Sequence, residues 1–254
     1  MTKGKLVLIG CGPGAIDLLT YRAADRIRSS DVVLYDRLVG EEIVQLANEQ
    51  AELVYVGKKC GDGGRQQSDI NDKIRKALLS GKTVSRLKSG DPMIFGRATE
   101  EIATATLCGA EVEIVPGVTA SLAAAADANV ALTEREEIQN FVMTTARTAK
   151  DLNVPDWSEI ARPGTCVSFY MGVAQAERIR LALLNAGVPA EATAEWVERA
   201  GQPISRIVST SVDRMHLDAA QNNVKNPAVL IVRYPVSLAQ KQCAETAALS
   251  FSNA

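Results

Sequence analysis

Short apolar runs alternate with amphipathic stretches through the first half of this chain. The apolar runs predict five strands, at residues 6–10, 31–35, 52–57, 82–87 and 111–115. The stretches between them have apolar residues at helical spacing and predict helices at residues 15–30, 41–49, 66–79 and 100–108. Because this alternation is typical of βαβ units, we expect a mainly parallel sheet in an N-terminal α/β domain, residues 1–115.

The pattern changes after residue 115, where Pro116 and Gly117 precede an alanine-rich helix at 121–128. Further strands are predicted at residues 138–144, 165–170, 191–197, 205–210 and 228–233, with helices at 173–186 and 212–222. The Gly-Gln-Pro segment at 201–203 separates two neighbouring strands as a hairpin turn does, so we expect a mixed sheet. We assign residues 116–240 to a C-terminal α/β domain and residues 241–254 to a loose, alanine-rich tail.

Composition and charge exclude several classes of protein. A length of 254 residues allows two domains that each bury a core. The net charge of -2 argues against nucleic-acid or membrane partners, so local arginines must hold any acidic ligand. Five dispersed cysteines without CxxC spacing disfavour disulfides and a structural metal site. Because a short strand directly follows a brief charged N-terminus, we expect no signal peptide and a cytoplasmic protein.

The stretch RLKSGDPMIFGR, residues 86–97, combines a strand exit, a tight turn and the start of a helix. Gly90 and Pro92 favour the turn, and residues 93–95 form an apolar lip. Loops after parallel strands bind ligands in open α/β sheets, so we interpret this loop as part of a binding site. A second loop, KKCGDGGR at residues 58–65, is rich in glycine and charge and is interpreted as a lid.

A dinucleotide-binding loop is one interpretation of the first glycine-rich turn. Residues 10–15, GCGPGA, match the GxGxxA fingerprint, and Asp36 follows the second strand as a ribose-binding acid does. Pro13 removes an amide donor from the turn that would hold the pyrophosphate, which weakens this interpretation. An NAD(P)-dependent oxidoreductase therefore remains an alternative.

Nine segments in order resemble the tetrapyrrole methylase family over about residues 4–236. They are GCGPG, VVLYDRLV, YVGKK, RLKSGDPMIFGR, VPGVTAS, LTER, FYMG, VERAGQPISR and NPAVLIV. The resemblance implies a homodimer of two α/β domains that binds S-adenosylmethionine in the cleft between the domains. It also implies methylation of uroporphyrinogen III at two pyrrole carbons, which gives precorrin-2, a precursor of sirohaem, cobalamin and haem d1, and leaves S-adenosylhomocysteine.

The resemblance also implies roles for individual residues. Those implied in catalysis are Arg97, Glu100 and Arg135, and the further substrate contacts are Asp36, Arg37 and Met171. The implied cofactor residues, which offer backbone groups, a carboxylate and small or apolar side chains, are Pro13, Gly90, Asp91, Ile94, Thr119, Ala120, Met171, Ala200, Pro227 and Ala228.

The chemistry of the implied catalytic residues suits a substrate that has many carboxylates. Arg97 and Arg135 offer bidentate, permanently charged partners for them. Glu100 lies three residues after Arg97, on the same face of one helical turn, and can orient that arginine or accept a pyrrole N–H. The family analogy also suggests Arg97 as a base, but an arginine stays protonated, so we interpret it first as a clamp.

The chain departs from the family pattern at several positions, namely Ser89, Ala98-Thr99, Glu134, Thr145-Ala146 and Ala200-Gly201. Ser89 adds a side chain where backbone is expected to approach the cofactor. Glu134 places a negative charge beside Arg135, which we expect to repel an acidic substrate, and Ala146 replaces a histidine. A methyltransferase with a different substrate and a non-catalytic binding protein therefore remain alternatives. The single histidine, His216, is expected at the surface.

Overall fold

The computed structural model describes residues 4–57, 67–147 and 156–252. The chain divides into two compact units, Met1–Ala120 and Ser121–Ala254, and each unit contains its own sheet. The sequence placed the boundary between residues 115 and 116. The predicted lid, residues 58–65, lies outside the described residues. Among the described residues, no helix has both the length and the apolar character needed to cross a bilayer.

The first unit contains a five-stranded parallel sheet with helices on both faces. Its strands are β1 (Lys5–Gly10), β2 (Val32–Tyr35), β3 (Glu52–Tyr55), β4 (Thr83–Lys88) and β5 (Glu111–Val115). Its helices are α1 (Tyr21–Arg28), α2 (Glu41–Val44), α3 (Gln67–Leu79) and α4 (Ala98–Leu107). The strand order is β3-β2-β4-β1-β5, and every neighbouring pair is parallel, which confirms the predicted sheet type.

Side-chain alternation along β1 divides the first core into two layers. Leu6 and Leu8 pack on the side of Ile74 from α3, whereas Val7 and Ile9 pack with residues of α1 and α2. A central parallel strand that is covered on both faces typically has apolar side chains on both, as residues 6–9 of β1 do.

The second unit contains a mixed sheet. Its strands are β6 (Asn140–Thr145), β7 (Thr165–Tyr170), β8 (Thr193–Glu198), β9 (Arg206–Ser211) and β10 (Ala228–Tyr234). Its helices are α5 (Ala120–Asp127), which begins at the boundary, α6 (Ala176–Asn185), α7 (Met215–Gln221) and α8 (Val236–Ser252). In the order β6-β7-β10-β8-β9 only β6 and β7 are parallel. The predicted mixed sheet and the hairpin between β8 and β9 are confirmed.

Two predicted helices of the first unit are shorter than expected. The stretch 15–30 splits into a 3₁₀ turn, Ile16–Leu18, and α1, because the Thr20 hydroxyl accepts the Ala23 N–H at 3.1 Å and starts a new helix. In the stretch 41–49 only residues 41–44, which form α2, are helical. The Asn48 side chain accepts the Gln50 N–H at 2.9 Å and thereby favours a turn over further helix.

The prediction of a loose tail is wrong, because α8 extends through it. The Glu137 carboxylate accepts the Ser237 N–H at 2.9 Å in the first turn of this helix. Leu238 and Ala239 pack against the second core, and several alanines further along have high helix propensity. A cap from a distant residue and one apolar turn therefore order a segment whose composition suggested a tail.

Candidate functional site

The carboxyl ends of the parallel strands place most of the predicted residues of the first unit at one edge of its sheet. Loops that follow β1, β2, β4 and β5 all emerge at this edge. They contain Pro13, Asp36, Arg37, Gly90, Asp91, Ile94, Arg97 and Thr119, and the last loop leads into Ala120, the first residue of α5. Residues that are far apart in sequence are thus brought to a single edge.

Three of these loops are in direct backbone contact through glycines. Gly90 N donates to Gly12 O at 2.6 Å, and Gly12 N donates to Gly90 O at 3.2 Å. A Cβ atom on Gly10 would lie 2.5 Å from Gly117 N, so these loops approach more closely than a side chain would allow. Gly90 has a φ of +71°, a conformation that favours glycine.

Asp91 joins the turn after β4 to the loop after β5. One carboxylate oxygen accepts the Met93 N–H at 2.8 Å, and the other accepts the Gly117 N–H at 3.0 Å. A carboxylate has further lone pairs, so these bonds leave acceptor capacity. Asp91 therefore has a structural function in the loop, and its predicted contact with the cofactor stays a prediction.

The rest of this turn presents apolar side chains and strained backbone. Met93 and Phe95 are exposed, as the predicted lip requires, and Ile94 is half-buried. Phe95 and Arg97 have φ values of 52° and 54°, in the left-handed region that non-glycine residues rarely adopt. Such conformations are frequent at ligand sites, where surrounding contacts maintain them.

Arg97 and Glu100 form an exposed bidentate ion pair at the start of α4. The Nε and Nη2 atoms of Arg97 donate to the two oxygens of Glu100 at 2.7 and 2.8 Å. The sequence predicted that Glu100 orients Arg97, and the contact is present. Two of the five guanidinium N–H groups are used in this pair.

A buried charge cluster behind the site was missed by the sequence analysis. Lys88 Nζ lies 2.8 Å from Glu101 Oε2, and Arg86 Nε lies 3.3 Å from Glu101 Oε1. Arg86 Nη2 also donates at 3.0 Å to Asp36 Oδ2, and the other oxygen of Asp36 accepts the Leu38 N–H at 3.0 Å. Asp36 is therefore held in place where β2 ends.

This cluster is almost completely excluded from water. The side chains of Arg86, Lys88 and Glu101 are 6%, 7% and 0% exposed. Burial lowers the pKa of the Lys88 ammonium group, and the positive charge of Arg86 lowers it further, although Glu101 acts in the opposite direction. The sequence did contain one signal of this cluster. Arg86 and Lys88 occupy alternate positions of one buried strand, and buried charges need partners of opposite charge.

The sheet order contradicts a dinucleotide-binding fold. In that fold the first two strands are neighbours, whereas here β4 lies between β1 and β2. The amides of Cys11 and Gly12 donate to Lys88 O and Gly90 O, so they do not form a phosphate cradle. Burial raises the pKa of the Cys11 thiol to about 12, which makes it an inert core residue. The oxidoreductase alternative is not supported.

The second sheet also gathers predicted residues at one edge. Met171 follows β7, Ala200 follows β8, and Pro227 and Ala228 lie at the start of β10, which is between those two strands. Val229 pairs with Tyr170, and Ala228 pairs with Glu198. Arg199 N donates to Pro227 O at 2.9 Å. The four predicted cofactor residues of this unit therefore lie on three adjacent strand ends.

The departure at Thr145-Ala146 lies at the same edge. Ala146 N donates to Tyr170 O at 2.9 Å, directly before Met171. The Ala146 side chain is buried in the second core. Ala146, which stands where the family pattern has a histidine, therefore lies beside the predicted cofactor residue Met171.

Arg135 is not brought to that edge. It lies in the turn before β6, and β6 is parallel to β7, so Arg135 and Met171 are at opposite edges of the second sheet. Its side chain is 94% exposed, 3.7 Å from Glu136. The role of Arg135 as a clamp stays a prediction, as does the placement of the active site in the cleft between the domains.

The expected repulsion from Glu134 needs correction. Arg233 of β10 donates to the Glu134 carboxylate, so this negative charge is paired and not left free beside Arg135. His216 is also less exposed than predicted, and its Nε2 lies 3.2 Å from Glu177 Oε2. Within the described ranges, no three His, Cys, Asp or Glu side chains form a group suited to a metal ion.

Comparison with known families and curated proteins shows the family to which this chain belongs. A family profile described as Tetrapyrrole (Corrin/Porphyrin) Methylases matches residues 5–216. Siroheme synthase 2 of Yersinia enterocolitica is 37% identical over 239 residues, which cover 94% of this chain and 50% of that protein. Siroheme synthase of Zymomonas mobilis is 36% identical over 91% of this chain and 48% of that protein. The chain thus spans about half the length of the curated relatives it matches.

Two solved structures of similar proteins each align with 91% of this chain. Uroporphyrin-III C-methyltransferase from Thermus thermophilus, complexed with S-adenosylhomocysteine, has a TM-score of 0.76 and 34% identity over 91% of this chain and 97% of that chain. A cobalamin biosynthetic enzyme, cobalt precorrin-4 methyltransferase, has a TM-score of 0.81 and 26% identity over 91% and 95% of the two chains.

Proposed function

Because this chain belongs to the tetrapyrrole methylase family, we propose that it is an S-adenosylmethionine-dependent C-methyltransferase that acts on uroporphyrinogen III. Two pyrrole carbons are methylated, which gives precorrin-2. The main supporting observation is the placement of the predicted residues: each of the two sheets has its predicted residues at one edge, with the exception of Arg135 in the second unit. The homodimer and the cytoplasmic location remain predictions.

The choice of substrate rests on sequence identity. The Thermus protein named for uroporphyrin III is 34% identical to this chain, whereas the precorrin-4 methyltransferase is 26% identical. A related tetrapyrrole substrate is the second candidate, because the precorrin-4 enzyme has the higher TM-score and Ala146 departs from the family pattern.

The residues at the second edge fit S-adenosylmethionine, which supplies an activated methyl group when bound. Ala200 and Ala228 are small and buried, while Met171 is apolar and 42% exposed, a combination suited to a flat purine. In the first unit, the atom nearest to a Cβ atom built on Gly90 is 3.7 Å away, so there is space on that side of Gly90. The remaining candidate contacts there are Pro13, Asp91, Ile94, Thr119 and Ala120.

The first edge fits an acidic macrocycle. Arg97, oriented by Glu100, is the proposed clamp for a substrate carboxylate, and Arg37 is a second exposed cation. Asp36, which Arg86 holds, offers an acceptor for a pyrrole N–H. Met93 and Phe95 add apolar surface. These groups hold and align the substrate, which is the main contribution a protein makes to direct methyl transfer.

A ligand-induced thermal shift tests the cofactor assignment. S-adenosylhomocysteine at 100 times its Kd should stabilise the folded chain by about 2.7 kcal/mol, which corresponds to a rise in Tm of roughly 5–10 °C. NAD or NADP at the same concentration should leave Tm unchanged. Stabilisation by the nicotinamide cofactors and not by S-adenosylhomocysteine would overturn the proposal.

A further inference from the structure

One carboxylate binds both sides of the turn on which a candidate cofactor residue lies. We propose that Asp127 is a positioning residue for S-adenosylmethionine, because it holds the turn between β8 and β9 that contains Ala200. This inference rests on the proposed function. It concerns a side chain that the resemblance did not assign.

The contacts of Asp127 are short and converge on one oxygen. Asp127 is the last residue of α5, and its Oδ2 accepts the Gly201 N–H at 2.8 Å and the Ser205 hydroxyl at 2.6 Å. Hydrogen bonds to an ionised acceptor are about twice as strong as neutral ones. Gly201 directly follows Ala200, and Ser205 directly precedes β9, so the two bonds fix both sides of the turn.

Backbone hydrogen bonds within the turn act together with those of Asp127. Within the turn, Gln202 N donates to Arg199 O at 3.1 Å and Ser205 N donates to Gln202 O at 2.9 Å. Pro203 has no N–H to add to these bonds. Arg199 has a φ of 50°, so the chain turns sharply just before Ala200. A turn that is already ordered loses less conformational entropy when a ligand binds.

The opposite end of α5 supports the same interpretation. Ser121 N donates to the Tyr170 hydroxyl at 3.0 Å, and Tyr170 directly precedes Met171. Between these ends, Ala123, Ala124 and Ala125 are buried and hold the helix against its surroundings. Helix α5 thus connects the end of β7 to the β8–β9 turn, and both segments contain a candidate cofactor residue.

The test compares Asp127→Ala, Asp127→Asn and a matched control. The control is Asp218→Ala. The Asp218 carboxylate also accepts a hydrogen bond from a hydroxyl group, that of Thr210, at 2.6 Å, but it lies near the other end of the β8–β9 hairpin. Calorimetry measures the affinity for S-adenosylhomocysteine, and hydrogen exchange measures the protection of the amides at 199–205.

We expect Asp127→Ala to weaken S-adenosylhomocysteine binding by about tenfold to a hundredfold and to speed exchange at residues 199–205. Asp127→Asn should retain affinity to within about threefold, because its amide oxygen accepts the same bonds. The control should keep wild-type affinity. If Asp127→Ala does not fold, Ser205→Ala replaces it in the test. We expect Ser205→Ala to weaken S-adenosylhomocysteine binding about threefold and to speed hydrogen exchange in the turn.

Two results would overturn the inference in distinguishable ways. If the wild type binds S-adenosylhomocysteine and the Asp127 or Ser205 variants bind it equally well, the positioning role is wrong and the proposed function stands. A lower Tm of Asp127→Ala with unchanged affinity leads to the same conclusion. If the wild type does not bind S-adenosylhomocysteine, the proposed function and this inference are both wrong.

Discussion

Arg97 is the residue that most directly connects the fold to the proposed carboxylate-rich substrate. Its exposed ion pair with Glu100 contributes only about 0–1 kcal/mol to stability, so its removal should not unfold the chain. We expect Arg97→Ala to lower turnover by about 30- to 100-fold, which corresponds to a lost charge-assisted bond, while S-adenosylhomocysteine affinity is unchanged.

Arg180 provides the matched control for this prediction. It forms the same bidentate i, i+3 pair with Glu177, at 2.8 and 2.8 Å, on α6. Arg180→Ala should keep wild-type turnover. Equal turnover of Arg97→Ala and Arg180→Ala in a steady-state assay would remove Arg97 from the site. Arg135→Ala in the same assay tests the clamp role that the sequence predicted for Arg135.

Glu101 is the buried anion that balances two buried cations. Replacing it by glutamine would leave Lys88 and Arg86 without a full countercharge, at a cost of about 3–5 kcal/mol in unfolding free energy. Urea denaturation measures this loss. Glu111→Gln, which changes a 67% exposed partner of Lys5, should cost less than about 1 kcal/mol. Similar costs for both variants would contradict the importance of the buried cluster.

Some side-chain contacts of the site could be predicted from the sequence and others could not. The Arg97–Glu100 contact was predictable because helical spacing brings positions i and i+3 together. The buried cluster was not, because Arg86 meets Asp36 across 50 residues and Lys88 meets Glu101 across 13. Such contacts depend on strand order, which local patterns do not determine. Asp127 was missed for the same reason, since Gly201 lies 74 residues away.

At the scale of elements, the end of β8 is fixed to the segment that leads into β10. The Glu198 carboxylate accepts bonds from Arg206 and from the Lys225 N–H. Burial raises the pKa of Glu198, but these two bonds together outweigh burial, so its pKa lies below the ordinary value of 4.5. The ionised carboxylate therefore stabilises the folded chain.

The pH dependence of this stabilisation follows from the lowered pKa. The unfolded chain binds a proton at Glu198 more tightly than the folded chain, so this stability is present above about pH 4.5 and is lost as the pH falls through the lowered value. Glu198→Gln should therefore be less stable than wild type at pH 7, and the difference should shrink below pH 4.5. A difference that is independent of pH would contradict this account; Glu191→Gln controls for net charge.

Strands were predicted more accurately than helix ends. All ten strands of the described residues begin within two residues of the prediction because buried apolar runs determine them locally, and β3, β5, β7 and β10 begin at the predicted residue. The ends of α1, α2 and α8 depend on side-chain bonds to the backbone from Thr20, Asn48 and Glu137. A hydrophobic pattern contains little information about such bonds.

At the scale of the whole molecule, alternation of elements predicted two α/β units and the type of each sheet. It did not predict that β4 lies between β1 and β2, and that order distinguishes this fold from a dinucleotide-binding fold. Several motifs in sequence order predicted the family, which the match over residues 5–216 confirms. The substrate depends on a few side chains within a shared fold, so it needs a chemical test.

The most direct test is an anaerobic incubation of the purified chain with uroporphyrinogen III and methyl-labelled S-adenosylmethionine. Mass and absorbance analysis of the products counts the transferred methyl groups. Our account predicts two labelled methyl groups on each macrocycle, with Arg97→Ala strongly impaired. If no label is transferred although calorimetry shows that S-adenosylhomocysteine binds, the assignment of uroporphyrinogen III as the substrate is contradicted.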